Sequence, residues 1–224
     1  MVAISVAFMF VILVLTDLAV QKWKRRDARQ AERNPGLIAS DALWNLPEGV
    51  HLSANHGWVK ADPAGGLVTG ADPLIVYAIG AISNIELPRV GTQVAVGQPL
   101  FRLVRDRHGI TVPSSVSGKV DAVNYRLASD PNLLNSEPYG NGWVCRIIPS
   151  SAEASQLAMR FGERATMWLE AEFDRLRDFL SSQVQTEIPL GATSQDGGFP
   201  SPGCLGELRD AAWSAFEIEF LNQQ

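Results

Sequence analysis

Between His51 and Pro149 the chain never runs far without a turn residue. Short apolar or alternating runs (GWVKAD, GGLVTG, NIELPRVG, QVAVGQPLFRLV, GITVPSSVSGKVDAVN, GWVCRIIP) are separated by Gly, Pro, Asn and Asp. Runs of this length are strands, and strands between such punctuation predict an all-β sandwich or barrel. Gly91, Gly97 and Gly118 fall where the chain turns sharply. Val94, Val96, Leu100 and Leu103, with Val116, Val120 and Val123, supply apolar faces for a small core. Trp58 and Trp143 each sit inside a strand pattern, so both are expected as core anchors rather than ligand contacts. From Pro73 to Ala81 the period changes. Leu74, Tyr77 and Ala78 recur at i, i+3 and i+4 behind a proline suited to a first helical position, which predicts a short helix.

The order of these segments is specific. HGWVK comes first, then IELPRVGTQVAVGQPLFRL, SSVSGKVDAVN and NLLNSEPYGNGWVCRIIPSS. Read from residue 51 to 150, this resembles the glycine cleavage H-protein, whose patterns take the form HxWV, VELPxVG, SPVSGxVxxVN and PYGxGWL. The resemblance implies a mainly β fold, a flattened lipoyl-type barrel or sandwich of two antiparallel sheets. It also implies a lysine at the tip of a tight hairpin, modified with lipoate and presented to partner enzymes. Here the chain departs. Counting back from Ser114-Ser115-Val116-Ser117-Gly118, the lysine position holds Arg107, within Val104-Arg105-Asp106-Arg107-His108. A guanidinium stays protonated and is a very poor nucleophile, so it takes no amide-linked lipoyl group. Lys60 and Lys119 are expected on strands, away from the tip. The carrier role is therefore not carried over, and no cofactor is expected.

The N-terminus has its own logic. Met1 to Thr16 contains no charge, and the apolar run continues past Asp17 to about twenty residues, the span of a membrane helix. Residues 1–21 are read as that helix. KWKRR follows at Lys22 to Arg26, and nothing basic precedes the run, which is the reverse of a secretory signal. By the positive-inside rule the N-terminus faces out and the main domain faces the cytoplasm, so an inner-membrane, single-pass protein is expected. Residues 22–50 form a basic juxtamembrane segment and connector, broken by Asn34-Pro35-Gly36.

Residues 151–224 extend beyond the segment that carries the resemblance. A long helix capped at Ser150 or Ser151 is expected to run to about Val184, with Leu169, Phe173, Leu176 and Leu180 as its stripe, widened by Met167 and Trp168. Glu170, Glu172, Arg175 and Asp178 fall on its other faces. Ile188 to Gly203 reads as a loop. A last helix over Leu205 to Leu221 gathers Leu208, Ala212, Trp213, Phe216 and Phe220. The candidate partner contacts are Arg105, Arg107 and His108 on the hairpin tip, with Trp168, Phe173, Leu180, Trp213 and Phe216 on the helices.

Other functions find little support. Net charge is −5, which gives no reason to expect nucleic acid. His51, His56 and His108 show no metal-ligand spacing, and Cys145 and Cys204, the only cysteines, read as ordinary thiols. No nucleophile–base set or phosphate loop is evident, so no enzyme and no catalytic residue is assigned. The expectation is a non-catalytic subunit that docks other proteins in a membrane complex, such as an electron-transfer or photosynthetic assembly. The alternatives are a periplasmic adaptor of an export system, against which the contiguous lipoyl-type halves and the charge pattern weigh, and a one-carbon-metabolism carrier, against which Arg107 weighs. A reporter active only in the periplasm, fused after Gln224, is expected to be silent. Activity from it would reverse the topology.

Overall fold

Ten strands and five α-helices form among the described residues of the computed structural model, which are 46–150, 159–185 and 200–222. The strands are β1 (Val50–Leu52), β2 (Gly57–Ala61), β3 (Leu67–Ala71), β4 (Asn84–Glu86), β5 (Gln93–Val94), β6 (Pro99–Arg105), β7 (His108–Pro113), β8 (Gly118–Val123), β9 (Cys145–Pro149) and β10 (Arg160–Phe161). Seven of them make one antiparallel sheet in the order β10-β1-β2-β3-β9-β8-β5, and β4-β6-β7 make another. Among the described residues no ladder joins the two sheets, so this is a sandwich and not the closed barrel that was one expectation.

The inner faces follow the period-two pattern. Trp58 is almost wholly buried and pairs across the sheet with Gly70. A Cβ on Gly70 would lie 2.7 Å from the indole Nε1, so the glycine makes room for the ring. From the smaller sheet Ile85, Phe101, Leu103, Ile110 and Val112 are buried in the same core. Trp143 is only half-buried, packed against the core's edge, and Val96 points to solvent rather than inward.

The first helix, α1 (Pro73–Ile79), is as short as its sequence pattern suggests and has every residue buried. The Asp72 carboxylate caps it by accepting from the Ile75 amide at 3.2 Å, Pro73 opens it, and Gly80 at φ +76 ends it. Two short helices, α2 (Arg126–Ser129) and α3 (Leu133–Ser136), lead to the PYGNGW loop. Asn124 Nδ2 pins that loop by donating to the Asn141 and Trp143 carbonyls at 2.7 and 2.8 Å.

The C-terminal region departs most from expectation. The long helix α4 (Gly162–Gln185) does not continue from Ser150 or Ser151. It starts after β10, which pairs back onto β1 through His51↔Phe161 and Leu52↔Arg160. Its start at Gly162 follows from that pairing, because the chain must turn off the sheet edge before it can coil. The expected single helix over Leu205 to Leu221 is three pieces: a 3₁₀ turn (Cys204–Glu207), α5 (Asp210–Phe216) and a π turn (Glu217–Leu221). Arg209, extended at φ −74° and ψ 164°, breaks the helix before α5. Together residues 200–222 form a strap. Phe216 and Phe220 stack at 4.6 Å, and Phe179 of α4 meets them edge-on at 5.9 and 5.8 Å.

The apolar run from Met1, the basic segment after it and most of the Ile188–Gly203 loop lie outside the described residues. Among the described residues no helix is long and apolar enough to cross a membrane. The strap's burial has a direct consequence. Phe216 exposes nothing to solvent, so Phe216→Ala is expected to cost about 3–5 kcal/mol of unfolding free energy. Urea denaturation of the full chain reads this, and an unchanged midpoint would mean the strap is no part of the core.

Candidate functional site

The hairpin between β6 and β7 ends in an exposed, charged turn. Arg105 pairs with His108, which leaves Asp106 and Arg107 as a two-residue tip. Asp106 takes the left-handed φ of +53° that such a tight turn demands. Its amide donates to Ser83 Oγ at 3.1 Å, and that hydroxyl donates to the Val104 carbonyl at 3.0 Å, which braces one side of the tip.

The strap braces the other side. Asp210 Oδ1 accepts from Arg107 Nη2 at 2.9 Å and meets His108 Nε2 at 2.8 Å. The His108 hydrogen bond, and after it the hydrogen bond and charge of Arg107, hold the Asp210 carboxyl below the usual carboxylate range. The His108 imidazole stacks on Trp213 with ring centres 4.8 Å apart and planes within 9°. Further along, Glu217 Oε1 accepts from the Thr111 amide at 2.9 Å, on the outer edge of β7.

Arg105 points the other way, beneath the strap. Its Nη1 donates to the Ile79 carbonyl at 2.6 Å and to the Gly203 carbonyl at 3.0 Å. Gly203 at φ +75 places its own amide 2.8 Å from the Tyr77 carbonyl. A Cβ on Gly203 or on Gly206 would collide with the Arg105 guanidinium.

A second charged group lies inside the domain. His56, at φ +57 and with no exposed surface, hydrogen-bonds Asp72 Oδ2 through Nδ1 at 2.6 Å. Its Nε2 stands 3.4 Å from Glu172 Oε2, an ion-pair distance without hydrogen-bond geometry. Glu172 in turn accepts from Arg175 Nη1 at 2.9 Å, and Arg175 lies over the Phe220 ring at 4.5 Å. Burial pulls the His56 pKa down, but the charge and hydrogen bond of Asp72, helped by Glu172, more than offset it and raise it to about 9. Glu172 is held below its usual range. Burial opposes this, and His56 and Arg175 outweigh it. The ring of Trp168 packs on His56 at 5.0 Å.

The residues singled out in the sequence are thus partly gathered and partly dispersed. Arg105, Arg107 and His108 do share the tip, but Arg105 is turned inward. Phe173, Leu180, Trp213 and Phe216 are buried in the chain's own core, and Trp168 is half-buried against His56. They present no outward apolar face, because covering α1, β7 and one another consumes their surface. Glu172 and Arg175, off the apolar stripe of α4, reach His56 and the strap. Cys145 and Cys204 are free and buried, and burial pushes both thiols up to about 12. The His56–Asp72–Glu172 group was missed. Its one signal was His56-Gly57 opening a strand, followed sixteen residues later by the helix cap Asp72-Pro73.

Comparison with known proteins bears on the same segment. Residues 50–170 match the family model described as glycine cleavage H-protein. The glycine cleavage system H protein of Psychrobacter sp. (strain PRwf-1) is 33% identical over 109 residues, covering 49% of this chain and 86% of the relative. That of Micrococcus luteus is 35% identical over 114 residues, covering 50% and 88%. The crystal structure of a glycine cleavage system H protein from Mycobacterium marinum is 26% identical, with a TM-score of 0.44, and covers 47% of this chain and 87% of that one.

The raised pKa of His56 predicts a pH dependence. A histidine ionising at 6.5 when unfolded and at about 9 when folded adds stability that is full below pH 6.5 and lost as pH rises through 9. Urea midpoints of the full chain should therefore fall between those values. His56→Gln should be less stable at pH 6 and lack that slope. A wild-type profile that stays flat across the window would mean that His56 is neutral in the folded protein.

Proposed function

The chain belongs to the glycine cleavage H-protein family, and from there we propose that it is a non-lipoylated, non-catalytic docking subunit rather than a carrier. The observation that carries this reading is Arg107 in the hairpin turn, held by Asp210 of the chain's own strap. A carrier needs a nucleophilic amine on a free turn. This turn offers a guanidinium, which resists acylation, on a hairpin fastened from both sides. Lys60 in β2 and Lys119 in β8 are the lysines among the described residues, and both belong to strands.

Attachment to the cytoplasmic face of a membrane rests on the charge-free run from Met1 and the KWKRR that follows it. The partners on this reading are other protein subunits of a membrane complex, and co-purification from solubilised membranes reads out which complex that is. Intact-mass measurement of the native protein is the first test. No lipoyl adduct is expected, in cells where an authentic carrier is fully modified. An adduct on any lysine of this chain would overturn the proposal.

A further inference from the structure

We propose that Arg107 and His108 form a carboxylate-accepting cradle for an acidic peptide segment of a partner protein, and that Asp210 is its resting occupant. This rests on the docking reading above and names the chemistry of the partner. Two donors from neighbouring positions converge on one point, Asp210 Oδ1, at 2.9 and 2.8 Å. That is recognition geometry for a carboxylate. The occupant comes from 102 residues away in the chain, so the cradle binds its acid as a tertiary ligand rather than as part of the turn.

The cradle is organised without Asp210. The His108 ring is clamped flat on Trp213, which is buried, so Nε2 keeps its aim if the carboxylate leaves. The backbone beneath is fixed by Ser83 on one side and by Arg105 on the other. The occupied pair is also open to exchange. The Arg107 and Asp210 side chains are 77% and 71% exposed, and ion pairs this exposed are weak and screened by salt. The strap is rooted elsewhere, at Phe216, Phe220 and Leu221. Asp210 can therefore yield its place while the root stays buried. Asp106 in the same turn is acidic, which keeps the site small and suits a single well-placed carboxylate better than a polyanion.

The test uses the detergent-solubilised full chain and a short dye-labelled peptide with a single Asp flanked by Gly, read by fluorescence polarisation at low salt. A tethered competitor acts at high effective concentration, so removing it should tighten binding by about fivefold or more. Asp210→Ala and Asp210→Asn are both expected to show this gain, and the matching Asn-Gly peptide is not. Adding Arg107→Gln and His108→Phe, the latter keeping the stack on Trp213, should abolish the gain. Binding by the Asp210 variants no tighter than by the wild type would overturn the cradle, as would a gain that survives loss of both donors. A lipoyl adduct in the mass measurement would instead sink the docking reading, and it leaves the peptide result to stand or fall by itself.

Discussion

A buried histidine that carries a charge needs compensation close by, and much of this structure is arranged to give it. His56 sits in the turn before β2. Asp72, which meets it at 2.6 Å, is also the cap of α1, and Glu172, at 3.4 Å, projects from α4. Arg175 carries the chain of alternating charges out to Phe220 on the strap. One ion network thus ties the sheet, the buried helix, the long helix and the C-terminus together. Removing Asp72 would leave the buried imidazole without its nearest partner, which is far more costly than the net gain of an intact pair. The C-terminal region is for this reason part of the domain and not an appendage to it.

The hairpin shows the same coupling at the surface. The β6–β7 hairpin carries Arg105, Arg107 and His108 within five residues. Arg105 fits beneath the strap only because Gly203 and Gly206 leave space and Gly203 adopts a left-handed conformation. Arg107 and His108 then meet the first residue of α5. The hairpin tip and residues 200–222 are complementary, residue against residue.

Much of the sheet architecture was legible because it is written in short-range signals. The turn residues bounding the strands and Pro73 at the start of α1 follow from local chemistry, whereas the β6–β7 tip follows only from the resemblance. The failures were of longer range. The start of α4 is not legible in the sequence because β10 is two residues long and exists only through its pairing with β1. The terminal helix was drawn as one piece because its apolar spacing is nearly continuous, whereas Arg209 leaves helical geometry to bring Asp210 onto the hairpin. Glu172 and Arg175 fall off the apolar stripe of α4, and helical spacing reports polarity and not partners. A charged residue beside Phe173 looks solvated until the histidine it faces is known.

The hairpin tip is tied down by several contacts. A hairpin that delivers a tethered group among several enzymes works best when its turn is free on all sides. Here the β7 edge is sealed by Glu217 on Thr111, the turn amide is tied to Ser83, and the imidazole is stacked on a buried indole. Each contact removes freedom that presentation of a swinging arm would use and adds the rigidity that recognition of a fixed partner rewards. Sealing β7 also removes the unpaired strand edge that an exposed hairpin would offer to another chain. What remains accessible is a small, oriented pair of donors. A surface of that kind is suited to reading a neighbour's side chain.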